Sequence, residues 1–285
     1  MSIFREIEHQ IGEPLLRHEP VSGGDINHAF RVETARGVHF LKFNTDTHAK
    51  PLLEAERRGL ERLRRAGTLA VPEVIVHGHT NLGSYLLLEW IEVGPTTDAA
   101  ELAFGTGLAK LHQITQAHYG GTPDNFIGAL PQSNGTLANW TDFYAAERIL
   151  PQFQLAMDKG LLNAKYRRQV EHLLNRLDEI CPNEPATLTH GDLWSGNWLV
   201  DAAERPWLID PAVSFQHREM DLGMLTLFGQ PGEAFWEGYQ AEHLTAMGLE
   251  ERLPVYQLYY LLVHVNLFGR SYVPAVIRVL ERFGR

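Results

Sequence analysis

His190-Gly191-Asp192-Leu193-Trp194-Ser195-Gly196-Asn197, followed after a short strand pair by Ile209-Asp210-Pro211, is the stretch on which the fold turns. Asp192 and Asn197 stand five residues apart, and Asp210 lies thirteen beyond Asn197. Phosphoryl transfer needs such a set. One carboxylate accepts the proton of the attacking hydroxyl, while an amide oxygen and a second carboxylate grip the Mg²⁺ that bridges the phosphates of ATP. Asp and Asn are also ordinary turn residues, but the preceding His, the Asn five on and the Ile-Asp at the right distance select the chemical alternative. Asp192 is the candidate catalytic base, and Asn197 and Asp210 are the candidate metal ligands.

Protein-kinase catalytic loops share the Asp-to-Asn spacing, with Arg where Gly191 stands. A site of that kind requires three further parts from the chain before it: a phosphate cover, a Lys and a carboxylate partner. Ser22-Gly23-Gly24-Asp25-Ile26-Asn27 is the candidate cover, with the backbone of Gly23 and Gly24 toward the phosphates, although it is not a full G-x-G-x-x-G. Lys42 sits in Val38-His39-Phe40-Leu41-Lys42-Phe43, a cation within a largely apolar strand. The helix expected over 52–65 carries Glu54 and Glu56, and both can reach back to Lys42. Glu56 is preferred because it interrupts the inward stripe one turn from Leu52 and Leu60. Leu86-Leu87-Leu88-Glu89-Trp90-Ile91 ends a buried strand and offers an adenine slot, with backbone groups at Glu89 and Ile91 toward the purine edge.

The chain has 285 residues, 44% hydrophobic and 21% charged, enough for one large domain or two lobes. Hairpin strands at 29–32 and 38–43, strands at 71–77 and 84–91 and the 52–65 helix make a strand-rich front, residues 1–91. Residues 92–285 read as mostly helical: 98–113 capped by Thr97 or Asp98, 140–159 kinked at Pro151, 166–180, and most of 221–283. Short strands at 187–189, 198–200 and 207–209 surround the catalytic loop, and 119–139 is a long polar connection. The expected class is α+β, a small strand-rich lobe and a larger helical one with a cleft between them.

Composition excludes several alternatives. A net charge of −10 disfavours nucleic acid as partner. The acid-bearing N-terminus and the interrupted apolar run at 256–269 argue against a signal peptide and a membrane span. A single cysteine, Cys181, rules out an internal disulfide and fits a cytoplasmic protein. The 14 histidines show no H-E-x-x-H pair, and no G-x-S-x-G elbow is present.

These residues resemble the fructosamine/ketosamine-3-kinase family, a branch of the protein kinase-like superfamily beside the aminoglycoside phosphotransferases and choline kinases. Leu193-Trp194-Ser195-Gly196 between Asp and Asn, Asp210-Pro211-Ala212, and His217-Arg218-Glu219-Met220-Asp221-Leu222 carry the likeness. So does the block Tyr119-Gly120, Asp124-Asn125-Phe126-Ile127-Gly128, Pro131-Gln132-Ser133-Asn134, Trp140 and Phe143. The resemblance implies a kinase-like fold and ATP- and Mg²⁺-dependent phosphorylation of the 3-hydroxyl of ketosamines, free or on glycated proteins. The 3-phosphate is labile, so such kinases act in deglycation. Asn134 and Trp194 are the expected sugar contacts, the first through its amide and the second through its ring face. An aminoglycoside- or choline-type kinase and a nucleotide-binding pseudokinase are the alternatives, the latter disfavoured by intact Lys42, Asp192, Asn197 and Asp210.

Overall fold

Strands β1 (Arg17–Pro20), β2 (His28–Thr34), β3 (Gly37–Asn44), β4 (Val74–Thr80) and β5 (Gly83–Glu89) pair antiparallel in the order β1-β2-β3-β5-β4. The computed structural model describes residues 3–21 and 27–285, so Gly23 and Gly24 lie outside the described residues. The β2–β3 hairpin closes at Thr34, whose hydroxyl oxygen accepts from the Arg36 amide at 3.1 Å. Strand β5 is buried on both faces, which explains its unbroken apolar run. Tyr85 and Leu87 join Val32 and Leu41 in a small cluster under helix α1 (Ile3–Ile11). Leu86 and Leu88 instead join Leu53 and Leu60 of α2 (Ala49–Ala66) in the main core.

Helix α2 buries Leu53, Glu56, Leu60 and Leu63 and ends at Gly67, whose φ of +68° is the left-handed cap that glycine allows. Neither α1 nor β1 follows from the sequence pattern. Helix α1 has nine residues, too few to be stable alone, and it is held by burial of Ile3 and Ile7 against the sheet.

Beyond β5 the chain is mostly helical: α3 (Asp98–Leu111), α4 (Trp140–Phe143), α5 (Leu150–Asp158), α6 (Arg167–Asn175), α7 (Leu177–Ile180), α8 (Glu219–Leu227), α9 (Glu233–Glu242), α10 (Leu249–Phe268) and α11 (Val273–Phe283). Thr97 caps α3, its side chain accepting from the Ala100 amide at 3.2 Å. Helices α3 and α9 touch backbone to backbone. A Cβ on Gly105 would stand 2.0 Å from the Phe235 carbonyl oxygen, and one on Gly238 2.2 Å from that of Leu102. Helix α10 is buried nearly all round, as its apolar run requires. Among the described residues no helix is long and apolar enough to cross a membrane.

Two expected elements divide. The 140–159 helix widens into a π-helical turn at Tyr144–Ile149, four residues after its start, and resumes as α5 with Pro151 in its first turn. Pro151 has no N–H for the turn before it, and the Glu147 carbonyl four residues back accepts from Arg148 at 3.0 Å instead. The 166–180 helix breaks at Arg176. The long connection is also more ordered than expected: β7 (Asn125–Ile127) and β8 (Leu130–Gln132) form a hairpin within it. Strands β6 (Thr115–Gln116), β9 (Ala186–Thr189) and β12 (Ser214–Gln216) make a small antiparallel sheet with β9 central. Strands β10 (Trp198–Val200) and β11 (Pro206–Leu208) form the hairpin between Asn197 and Asp210.

Candidate active site

Lys42 leaves β3 on the face that looks toward α2 and is nearly excluded from solvent, with 6% of its surface exposed. Its ammonium donates to Glu56 Oε1 at 2.8 Å and to Asp210 Oδ1. The partner is thus Glu56. Glu54 faces outward on the same helix and pairs with Arg57 at 2.6 Å. Burial alone would strip the Lys42 proton, but the charges of Asp210 and Glu56 outweigh it and hold its pKa above the ordinary value. Burial, opposed by Lys42, raises the Glu56 carboxyl, because one ammonium is divided between two carboxylates.

Asp210 connects this pair to the catalytic loop. It has φ +53°, a left-handed conformation that costs a non-glycine residue about 1–3 kcal/mol, held here by its surroundings. The Ile209 amide donates to the Asn197 carbonyl at 3.0 Å, and the Ala212 amide donates to that of His190 at 2.9 Å. Both bonds grip Asp210 from either side. Gly191, at φ +87°, lies so near this segment that a Cβ would stand 2.0 Å from the Ala212 carbonyl oxygen. The glycine is dictated by that approach, and an Arg has no room.

Within the loop, Asn197 donates through Nδ2 to the Asp192 carbonyl at 2.8 Å and to Asp192 Oδ2 at 3.2 Å. Burial, then the nearby Asp210 charge, push the Asp192 carboxyl up to about 7, with Asn197 opposing them. A carboxyl poised there suits proton acceptance near neutral pH. His190 donates from Nε2 to the Ile209 carbonyl at 2.8 Å and accepts at Nδ1 from the Asp192 amide at 3.3 Å, which fixes its tautomer. Burial lowers its pKa and keeps it neutral.

The donor set fits Mg²⁺. Both Nδ2 hydrogens of Asn197 face Asp192, and its carboxamide oxygen has no hydrogen-bond partner among the described residues. Asp210 keeps its side chain 40% exposed. These are hard oxygen donors, and a magnesium ion takes only one or two from protein and the rest from phosphate and water. Accordingly, no cluster of three or more His, Cys, Asp or Glu that could hold a metal occurs among the described residues.

At the linker, the Glu89 amide is already engaged with the Glu73 carbonyl at 2.9 Å. That amide is therefore closed to a purine. The Ile91 amide has no partner among the described residues. Just beyond, Gly94 donates to the Val200 carbonyl at 2.8 Å and Ala202 to that of Glu92 at 3.1 Å, tying the linker to the β10–β11 hairpin.

Of the two expected sugar contacts, Trp194 is 39% exposed beside Asp192, its ring lying over Gly196. Asn134 is a correction: it is 2% exposed and fully engaged. Its Nδ2 donates to Asn125 Oδ1 at 3.2 Å and to the Pro123 carbonyl at 3.3 Å, and its oxygen accepts from Arg148 at 2.8 Å. The polar side chains of this block turn inward as a clamp. Asn125 donates to the Val213 carbonyl at 2.9 Å and Gln132 to that of Ala212 at 3.3 Å, just past Asp210. Arg148, placed by the π-turn, is fully buried and has neutral acceptors only, among them Ser214 Oγ at 3.2 Å and Gln216 Oε1 at 3.2 Å.

Two residues that hold the catalytic loop escaped the sequence argument. Asp221 of α8 accepts from the His190 amide at 2.7 Å and the Gly191 amide at 2.8 Å, and His112 approaches its Oδ2 at 3.2 Å. The hydroxyl of Tyr260 donates to the Gly191 carbonyl at 3.0 Å. A carboxylate inside the apolar run Met220-Asp221-Leu222 was the available signal. A Tyr in an apolar helix carried none.

The profile of the fructosamine kinase family matches residues 1–284. A probable ketoamine kinase of Enterococcus faecium is 40% identical over 270 residues, covering 93% of this chain and 94% of that protein. Escherichia coli K12 has another probable ketoamine kinase, 34% identical over 99% of this chain and 98% of its own. Among solved structures, a Thermobifida fusca protein designated a fructosamine-3-kinase superposes with a TM-score of 0.89 at 35% identity, covering 98% and 97% of the two chains. An aminoglycoside phosphotransferase, solved with ADP and hygromycin B, shares the fold at a TM-score of 0.64 and 17% identity, covering 99% and 98%.

Proposed function

The chain belongs to the fructosamine kinase family, and from that premise we propose that it phosphorylates the 3-hydroxyl of a ketosamine, using ATP and Mg²⁺, as a step in deglycation. It is a phosphotransferase of two-lobed α+β kinase-like fold that uses ATP and acts on ketoamines. The finer statements concern the reacting hydroxyl, the metal, the physiological role and each residue's part. The residues' parts rest on the contact of Lys42 with both Glu56 and Asp210, which joins the strand-rich half to the catalytic loop at one point, and the reacting hydroxyl and the physiological role rest on the family.

In this reading Asp192 accepts the proton of the attacking hydroxyl through its carboxylate, and Asn197 holds that carboxylate in place. Lys42, oriented by Glu56, faces the α- and β-phosphates. Asp210 and the amide oxygen of Asn197 would hold Mg²⁺, which would supply positive charge to neutralise the phosphates. The Glu89 carbonyl and the Ile91 amide meet the purine edge, and residues 1–91 and 92–285 act as the two lobes about that linker. Gly23 and Gly24 cover the phosphates. Trp194 offers its face to the C–H groups of the sugar. Asp221 and Tyr260 position the loop, and neither touches a reacting atom. Free ketosamines and glycated proteins are the substrates in view, without nucleic acid or membrane. A cytoplasmic setting fits the lone cysteine.

Side-by-side assays with N-α-acetyl-ribulosyl-lysine, a fructosyl-lysine and hygromycin B, read by mass spectrometry, test this. A phosphate on O3 of a ketosamine is the expected result. Phosphorylation of hygromycin B alone, or of another hydroxyl, overturns it. Trp194→Ala should raise KM for the ketosamine and leave KM for ATP unchanged, the sign of lost substrate binding.

A further inference from the structure

Three arginines are buried among the described residues, and two of them face a carboxylate. Arg218 pairs with Glu184 at 2.7 Å and Arg252 with Glu219 at 2.7 Å. Arg148 has no carboxylate partner among the described residues, and burial lowers its pKa. Its five N–H groups are met one by one instead. Nε donates to Gln216 Oε1 at 3.2 Å, and Nη2 to Asn134 Oδ1 at 2.8 Å and Ser214 Oγ at 3.2 Å. Nη1 donates to the Ser133 carbonyl at 2.6 Å and to the Glu147 carbonyl at 3.0 Å. Only a guanidinium presents five donors in one rigid plane. A buried charge left unneutralised is expensive, and an apolar side chain of similar volume would fill the space at less cost. The π-helical turn that carries Arg148 is a second irregularity, of a kind frequent at functional sites.

These acceptors lead to the two strands on either side of the catalytic carboxylates. Strand β9 ends at Thr189, three residues before Asp192, and β12 starts at Ser214, four residues after Asp210. With four and three residues, they are too short to hold a spacing by backbone pairing alone. Gln216 bridges them. Its Oε1 accepts from Arg148, its Nε2 donates to Thr189 Oγ1 at 3.0 Å, and that hydroxyl donates to the Ser214 carbonyl at 3.0 Å. A second route runs through Asn134, which donates to Asn125, which in turn donates to the Val213 carbonyl. A third crosses the Tyr259 ring, whose centroid is 5.6 Å from the guanidinium carbon. The Tyr259 hydroxyl donates to Gln132 Oε1 at 2.7 Å, and the Gln132 amide reaches the Ala212 carbonyl. All three routes end on residues 212–216, and the first continues into β9.

We propose that Arg148 is a positioning residue for phosphoryl transfer, fixing the separation of Asp192 and Asp210 by tying together the two strands that flank them. This rests on the reading of those carboxylates as base and metal ligand. Asp210 is held in its left-handed conformation by the bonds of its neighbours, and the Ala212 amide on the His190 carbonyl is one of them. Gln132 grips the same Ala212 from its carbonyl side. A slip of residues 212–216 against β9 would therefore move Asp210 relative to Asp192. A misplacement of about 1 Å at a reacting group costs about 10² in rate. A rigid five-donor fork resists that slip, whereas an apolar side chain would fill the space and leave the strands free to shift.

The test uses two variants that act differently on stability. Gln216→Glu keeps an acceptor for Arg148, gives it the carboxylate it lacks and removes the donor to Thr189. Its melting temperature should equal or exceed that of the wild type, while kcat for a ketosamine falls by about ten- to a hundredfold. Arg148→Lys keeps the charge but loses the planar fork, and should lower both. In each variant the affinity for AMP-PNP, measured by calorimetry with no ketosamine present, should gain at least about threefold less from Mg²⁺ than in the wild type, with the affinity in EDTA unchanged. Wild-type kcat and a wild-type gain from Mg²⁺ in Gln216→Glu make Arg148 a purely structural residue and overturn the proposal. A Gln216→Glu protein that loses activity only in step with its melting temperature overturns it as well. A wild type that binds AMP-PNP equally with and without Mg²⁺ removes Asp210 as metal ligand, and the proposal with it. A wild type that gains from Mg²⁺ yet phosphorylates no ketosamine removes only the proposed acceptor, and the binding comparison then decides the part of Arg148.

Discussion

Replacing Asp192 with Asn separates two consequences of one carboxyl. Its folded pKa of about 7 lies above the ordinary 3.8, so the folded chain holds this proton more tightly than the unfolded chain does. The group therefore favours folding below about pH 4, and that contribution is lost as the pH rises through about 7. Above that pH a partly desolvated carboxylate stands near Asp210, a repulsion that the amide of similar shape does not have. About three pH decades at about 1.4 kcal/mol each set a ceiling near 4 kcal/mol, and partial exposure of the side chain reduces it to about 1–3 kcal/mol. Asp192→Asn should match the wild type near pH 4 and exceed its stability by that amount above pH 7. The measurement is urea unfolding, followed by tryptophan fluorescence from pH 4 to 8.5 in buffer free of nucleotide and metal. In parallel, kcat should fall by about 10²–10⁴ while ATP still binds. A stability difference that stays flat across this range refutes the buried, raised carboxyl. A kcat within threefold of wild type refutes its role as base.

Asp210→Asn should weaken Mg²⁺–ATP binding and abolish turnover, and an unchanged magnesium dependence would show that the metal lies elsewhere. Lys42→Met combined with Glu56→Gln should lose little activity beyond Lys42→Met alone, because the two act as a coupled pair. Fully additive losses, or a larger effect from Glu54→Gln, would break that pairing. Asp221→Asn leaves one of the two amides of His190 and Gly191 facing an NH2 donor and the other with only a neutral acceptor, and should destabilise the protein by about 2–4 kcal/mol in urea unfolding. Its KM for ATP should change less than its kcat, and equal stability of variant and wild type would remove Asp221 as the anchor of the loop.

The catalytic loop was legible in the chain because its chemistry is local. Asp192 and Asn197 are close in sequence, the β10–β11 hairpin sets the distance to Asp210, and few residue types can do this work at that spacing. The helix after β3 was legible for a related reason: a carboxylate inside an apolar stripe, Glu56, calls for a buried cation. The β2–β3 hairpin followed from its turn and alternation, and the buried β5 and α10 from their apolar runs, whereas the order of the sheet did not show in the chain. Tertiary structure decided the rest, because it concerns groups far apart in sequence or short elements with no stability of their own. Helix α1 exists only against the sheet. The amides of Asn125, Gln132 and Asn134 look like sugar ligands in a polar stretch, yet the fold turns them onto the backbone after Asp210 and onto Arg148, since a buried polar group must find a partner. Asp221 reaches the loop across about thirty residues. Composition names the groups a chain can use; which face of each element is closed to water determines whether a polar side chain binds a substrate or holds the protein together.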